Sequence, residues 1–231
     1  MADLFQLREK EIFETLKKLK NRKFVLIGGY SVNAYTLPRF SVDCDIVIYE
    51  DEFEKIEKEL LAIGYKKSNE TSEVPYHGKF ARFEKIIQEN FKVSIDILIN
   101  EVLDRQTQSK FSSDWVFDNS KVRVLRGKTI TEKLKLRIIN LEALFTMKMI
   151  SCRGTDIRDI FLMISEIKDK RFIKKEVSDR FNFQDRIEKV IKEISSKQFK
   201  DGLQGVFGFV DNKLFERNKK EFVDLGLLYR K

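Results

Sequence analysis

The chain has 231 residues, 42% of them apolar, which is enough to bury a sizeable core as one domain or two small ones. Two cysteines, Cys44 and Cys152, exclude a disulfide scaffold, no apolar run reaches membrane-spanning length, and the charged start Met1–Lys10 is no signal peptide. A soluble, cytoplasmic protein with no membrane partner is expected, and its formal net charge of +8 favours polyanions among its partners.

In chain order, Leu4, Leu7, Ile12, Phe13, Leu16 and Leu19 mark a helical face over Leu4 to Leu19. Phe24 to Ile27 is a continuous apolar run closed by Gly28 and Gly29, the pattern of a strand buried on both faces. The two glycines can take φ > 0 and let a phosphate approach the backbone with no Cβ in the way. Ser31 then stands where a helix starts, with free N–H groups and a positive end at the turn, and Pro38 ends that helix by Leu37. The next strand carries Asp43 and Asp45 on one face, with Val42, Cys44 and Ile46 on the other. Two carboxylates roughly 7 Å apart along a strand edge can share one or two partly hydrated Mg²⁺ ions.

Glu52 to Ile63 follows as an amphipathic helix closed by Gly64, and Tyr65–Lys67, Phe80–Phe83 and Phe91–Leu98 read as strands of a mixed sheet. His77, the single histidine, reads as a loop residue that cannot form a histidine metal site by itself. Asp96 interrupts the apolar strand between Ile95 and Ile97, and a lone carboxylate there is costly unless a cation or donor meets it. Beside the Asp43/Asp45 strand it would complete a three-carboxylate site for two-metal phosphoryl or nucleotidyl transfer. Asp114 to Val124 suggests a hairpin turning at Asp118-Asn119, and Lys128 to Ile139 carries the chain to a helical region. There the candidate helices are 141–151, 156–167, 172–181, 184–196 and 213–228. Residues 166–231 hold 17 Lys/Arg against 12 Asp/Glu, a difference of +5, with Lys168, Lys170, Arg171, Lys174 and Lys175 in one segment. This is either a polyanion-binding surface or an ordinary lysine-rich solvated one.

Gly-Gly-Tyr-Ser, Asp-Cys-Asp about a dozen residues later and an isolated strand Asp together resemble the DNA polymerase β-like nucleotidyltransferase superfamily. Leu141–Ile160, with its Lys…Arg…Asp-x-x-Asp segment, and Arg39-Phe-Ser-Val-Asp-Cys-Asp are similar to the AbiEii-type branch, which contains toxins of type IV toxin–antitoxin systems. Ser41 replaces the branch's Thr, and Thr155 stands where a basic residue is usual, which leaves the role of Asp156 open. The resemblance spans roughly residues 20 to 165. It implies an α+β fold with a nucleotidyltransferase core over 1–135, its mixed sheet flanked by helices, and the helical periodicity from Leu141 onward reads as a helical C-terminal domain over 136–231.

The same resemblance assigns triphosphate binding to Gly28, Gly29 and Ser31, metal binding to Asp43, Asp45 and Asp96, and a phosphate contact to Lys148. Arg39 would join Gly28, Gly29 and Ser31 in cofactor binding, with a counter-ion for the acidic cluster as its plainer alternative, and Asp156 and Asp159 would orient Lys148 or Arg39, or be structural. The implied reaction moves NMP from an NTP, with Mg²⁺ as cofactor, to an acceptor hydroxyl. That acceptor would be RNA, at a tRNA 3′ end, with an antitoxin as protein partner. A small-molecule, antibiotic-type nucleotidyltransferase and a non-catalytic relative of the fold are the alternatives; the first would want an acidic pocket, the second would have lost an acid.

Overall fold

The structure is a computed structural model, and it describes residues 2–68, 79–89, 91–208 and 211–227; His77 lies outside them. The described residues divide into two compact units. The first holds almost everything up to Asn140, and the second holds Leu141 onward with the short segments 35–37 and 106–109.

The first unit is built on a seven-stranded mixed sheet in the order β3-β4-β5-β2-β1-β9-β8. In the chain it begins with α1 (Ala2–Leu19), β1 (Val25–Leu26), α2 (Gly28–Val32), β2 (Asp43–Ile48) and α3 (Phe53–Ala62). Strands β3 (Lys66–Lys67), β4 (Lys79–Gln88) and β5 (Phe91–Ile99) follow, then a separate ribbon of β6 (Glu101–Leu103) and β7 (Lys110–Ser112). Helix α4 (Ser113–Asp118) and the hairpin of β8 (Ser120–Arg126) and β9 (Lys133–Ile139) complete it.

Strand alternation divides the sheet into two unlike faces. One carries Cys44, Ile46, Phe83, Ile95, Ile97 and Ile138, all fully buried. Helices α1 and α3 pack on this face, where Phe53 meets Phe83 at 6.5 Å between ring centroids and Thr15 meets the Tyr65 hydroxyl at 3.0 Å. Burial also pushes the Cys44 thiol well up, so it stays protonated as a packing residue. From α1, the buried Glu9 carboxylate accepts from the backbone N–H groups of Lys128 and Thr129 and from the Thr129 hydroxyl, pinning the β8–β9 connection.

The structure departs from the sequence expectations in several places, among them the β6–β7 ribbon, which was not expected. The helix expected from Ser31 starts at Gly28 and ends at Val32, because the turn itself is helical. The hairpin expected across Asp118-Asn119 is α4 followed by β8: the Ser112 hydroxyl caps the Trp115 N–H at 3.1 Å, so Trp115, Val116 and Phe117 enter a helix despite their strand propensity. A helix over Lys197–Phe207 was not expected, since Gly202 and Gly205 dilute its signal.

The second unit is helical among its described residues: α5 (Leu141–Ser151), α6 (Gly154–Met163), α7 (Lys170–Ser178), α8 (Phe183–Ile194), α9 (Lys197–Phe207) and α10 (Asn212–Leu227). Phe161 is its hub, with Phe199, Phe215 and Phe222 around it at 5.0–6.4 Å between centroids. No described helix in either unit is long and apolar enough to cross a membrane.

Candidate active site

The face of the sheet opposite α1 and α3 carries the acids. Strands β2 and β5 run parallel in a register that sets Asp45 beside Asp96, with Asp43 two residues along on the same face. Each of the three carboxylates offers an oxygen within 4.8 Å of the others. Asp96 is 5% exposed, whereas Asp43 and Asp45 are half-buried, so the group opens to solvent on one side.

Three carboxylates this close repel one another, and Arg82 offsets part of that charge. It sits directly across from Asp96 in the antiparallel β4–β5 pair. Its guanidinium donates to Asp96 from Nε at 2.8 Å and from Nη2 at 2.6 Å, and Nη2 lies 4.0 Å from Asp43. Such two-point pairing is the strong form of a charge-assisted bond. It holds the Arg82 pKa above its ordinary value. For Asp96 burial wins: its carboxyl is pushed up despite Arg82, and the Asp43 charge adds to the rise. A divalent cation would reverse that balance, which is what three oxygen ligands around a partly open position suit.

Gly28 and Gly29 lie against these acids. The Ile27 N–H donates to the Asp45 carbonyl at 3.0 Å, so the end of β1 and the turn are fixed to β2. Gly28 has φ +66°, and a Cβ on it would stand 1.9 Å from Asp45 Oδ2. A Cβ on Gly29 would stand 2.2 Å from Ser41 Oγ and 3.1 Å from Arg39 Nη2. Both glycines are thus required by the packing of the turn on the acid strand. The Ser31 hydroxyl is fully buried and donates back to the Gly28 carbonyl at 2.7 Å, bracing the turn from below. Arg39 is held by Asn33, which accepts from its backbone N–H and donates to its carbonyl, both at 3.0 Å. Its Nη1 donates to the Phe40 carbonyl at 2.9 Å.

The structure therefore gathers Gly28, Gly29, Ser31, Arg39, Asp43, Asp45 and Asp96 in the first unit. Arg82 was not singled out in the sequence. Its alternation within Phe80–Phe83 was visible, but its partner depends on the β4–β5 register, which no local pattern fixes.

Lys148 belongs to the second unit, on α5. It is 6% exposed and its ammonium bridges Asp156 at 3.0 Å and the fully buried Asp159 at 2.7 Å, both from α6. Asp156 also accepts from the Ser151 hydroxyl at 2.8 Å and from the Arg153 N–H at 3.3 Å, which caps the start of α6. The Asp-x-x-Asp spacing places both acids one helical turn apart, facing one lysine.

The family model described as nucleotidyl transferase AbiEii toxin, type IV TA system, matches residues 13–224. Among solved structures, JHP933 from Helicobacter pylori is 15% identical at a TM-score of 0.54, over 97% of this chain and 90% of that one. A nucleotidyltransferase-type structure from H. pylori is 16% identical at a TM-score of 0.46, over 96% and 92%. The lincosamide antibiotic adenylyltransferase LnuA is 19% identical at a TM-score of 0.45, over 68% and 97%. No curated protein matches the chain. At such identity the likeness to JHP933 speaks for the fold alone.

Proposed function

The chain belongs to the AbiEii nucleotidyltransferase toxin family, and from that premise we propose that it transfers a nucleoside monophosphate from an NTP to the terminal hydroxyl of an RNA, with tRNA as the acceptor class. Membership makes it a nucleotidyltransferase, with an NTP as co-substrate and an antitoxin as the expected partner. The observation that supports the chemistry is the carboxylate group Asp43, Asp45 and Asp96 on one sheet face, with the Gly28–Gly29 turn packed against it.

Asp43, Asp45 and Asp96 would hold two Mg²⁺ ions, which neutralise phosphate charge and lower the pKa of an attacking hydroxyl when bound there. The residues of the chain do the rest. The Gly28–Gly29 backbone leaves room for the triphosphate beside the acids, and Ser31 keeps that turn in shape. Arg39 and Arg82 supply positive charge at the edge of the acid group, where pyrophosphate charge develops on departure. For Lys148, held by Asp156 and Asp159 on α6, a phosphate contact is the proposed role. The basic composition supports a polyanionic acceptor over a cationic small molecule.

The test is a transfer assay with purified protein, Mg²⁺, each α-³²P-labelled NTP in turn and total tRNA, beside Asp43→Ala. Label on tRNA that disappears in the variant supports the reading and names the nucleotide. Label on tRNA at equal rate in the variant would remove Asp43 from the chemistry, and no label on tRNA would remove tRNA as acceptor.

A further inference from the structure

Exposed cations line one face of the β8–β9 hairpin. On β9, alternation sends Lys133, Lys135 and Arg137 to one face, and the β8 register sets Arg126, Val124 and Val122 opposite them on that same face. Lys133, Lys135, Arg137 and Arg126 are exposed, and Val122 is 64% exposed. Lys20 and Lys23, from the connection between α1 and β1, extend the group to a cleft of about 240 Å³ whose walls also include Phe117, Val122, Lys135 and Arg137. Phe117 is half-buried and stacked on Tyr49 at 4.6 Å between centroids. Arg22, in the same cleft, is paired with Glu59. Among the described residues no carboxylate pairs with Lys20, Lys23, Arg126, Lys133 or Lys135.

The sheet register relates this ridge to the acids. Val25 pairs with Val47 and therefore shares the face of Asp43 and Asp45, while Leu26 pairs with both Ile46 and Ile138 on the other face. Arg137, Lys135 and Lys133 thus lie on the carboxylate face, two strands away from β2. From strand geometry Arg137 is roughly 12 Å from Asp45 between Cα atoms, and Lys133 is roughly 22 Å away. The cations repeat every second residue, roughly 6.8 Å, comparable to the separation of successive phosphates along a nucleic-acid strand.

We propose that this ridge and cleft bind the sugar–phosphate backbone of an RNA whose 3′ end lies at the carboxylates, with an apolar floor at Phe117 and Val122 for a base. A regular row of unpaired cations suits a periodic polyanion, and an aromatic floor beside it suits a nucleotide. An acidic protein would meet the charge but has no need of the repeat. The proposal rests on the acceptor reading above for its purpose, since it places the body of that RNA; its geometry stands apart from it.

The test measures binding without transfer. A fluorescently labelled tRNA transcript with a 3′-deoxy end is titrated by anisotropy against the wild type and the triple variant Lys23→Glu/Lys133→Glu/Lys135→Glu, over a series of salt concentrations. All three positions are exposed, and thermal melting checks that the variant is folded. The expected result is at least tenfold weaker binding by the triple variant and a log–log salt slope smaller by about 2–3. Unchanged affinity and slope in the folded triple variant would overturn the proposal. So would poly-L-glutamate displacing the tRNA at equal concentration of charge, because the surface would then read charge alone. If binding is lost in the triple variant while the wild type labels no tRNA, the surface stands and the acceptor reading falls. If tRNA is labelled while the triple variant binds normally, the reverse holds.

Discussion

Arg82 grips Asp96 with two nitrogens while one of them stands 4.0 Å from Asp43. The guanidinium thus lies where a cation shared by the acids would exert its field. In Arg82→Ala the buried Asp96 loses its counter-charge, at a cost of about 1–3 kcal/mol, which lowers Tm by roughly 2–12 °C in a chain of this size. Added Mg²⁺ should then restore more stability to the variant than it adds to the wild type. Thermal melts with EDTA and with Mg²⁺ check this, and an equal Mg²⁺ response in both proteins would mean that Arg82 and the metal do not share the acids.

Gly28→Ala should slow transfer by on the order of 100-fold without unfolding the protein. The added methyl would fall 1.9 Å from Asp45 Oδ2, and φ +66° disfavours any side chain there. Asp45 must move, and a displacement of about 1 Å at a reacting site costs on the order of 100-fold in rate. Transfer rate and far-ultraviolet circular dichroism together test it. A variant with native rate would show that Asp45 can shift freely.

Much of this site is local in the chain and was therefore legible. The run Phe24–Gly29 and the alternation of Asp43 and Asp45 lie within one strand-turn-strand segment, and Asp96 stands out as a charge among isoleucines. What escaped depends on contacts between distant segments. Arg82 acquires its role only through the β4–β5 register, and the cation ridge only through the pairing of β8 with β9. The basic excess was sought in residues 166–231, yet Lys133 and Lys135 become a surface by alternation rather than by density. Helix α9 shows the other kind of loss: Phe199 and Leu203, four residues apart, bury on one face, although Gly202 and Gly205 weaken the segment taken alone.

Burial pushes the Asp96 carboxyl up, so protons compete with cations for it at higher pH than for an exposed aspartate. Lowering pH protonates Asp96, removes one negative charge from the acid group and weakens cation binding. Transfer should therefore fall on the acid side starting above about pH 4, the ordinary range for Asp. Raising Mg²⁺ should move that fall to lower pH. Rate–pH profiles at two Mg²⁺ concentrations decide it; profiles that superimpose would separate Asp96 from the metal.

Glu9 makes a stability prediction remote from the chemistry. Its fully buried carboxylate accepts from Lys128, Thr129 and the Thr129 hydroxyl. Glu9→Ala removes the carboxylate that these donors share, and water can reach the exposed Lys128 and Thr129 in its place, so about 1.5–3 kcal/mol should be lost. Urea unfolding should show a lower midpoint with an unchanged slope. An unchanged midpoint would mean that water replaces the carboxylate at no cost.

Lys148 separates a structural from a chemical role. It bridges Asp156 and the fully buried Asp159, and in Lys148→Met both carboxylates lose that cation. Breaking a buried ion pair from one side costs about 3–5 kcal/mol, so Tm should fall by roughly 6–20 °C. Replacing the whole group, as Lys148→Met/Asp156→Asn/Asp159→Leu, should recover much of that loss, because an apolar substitute for a buried ion group is often neutral or better. Transfer kinetics on the recovered variant then isolate the phosphate contact. A raised KM for NTP at native stability would assign Lys148 to the triphosphate, whereas native kinetics would leave it as the pin between α5 and α6.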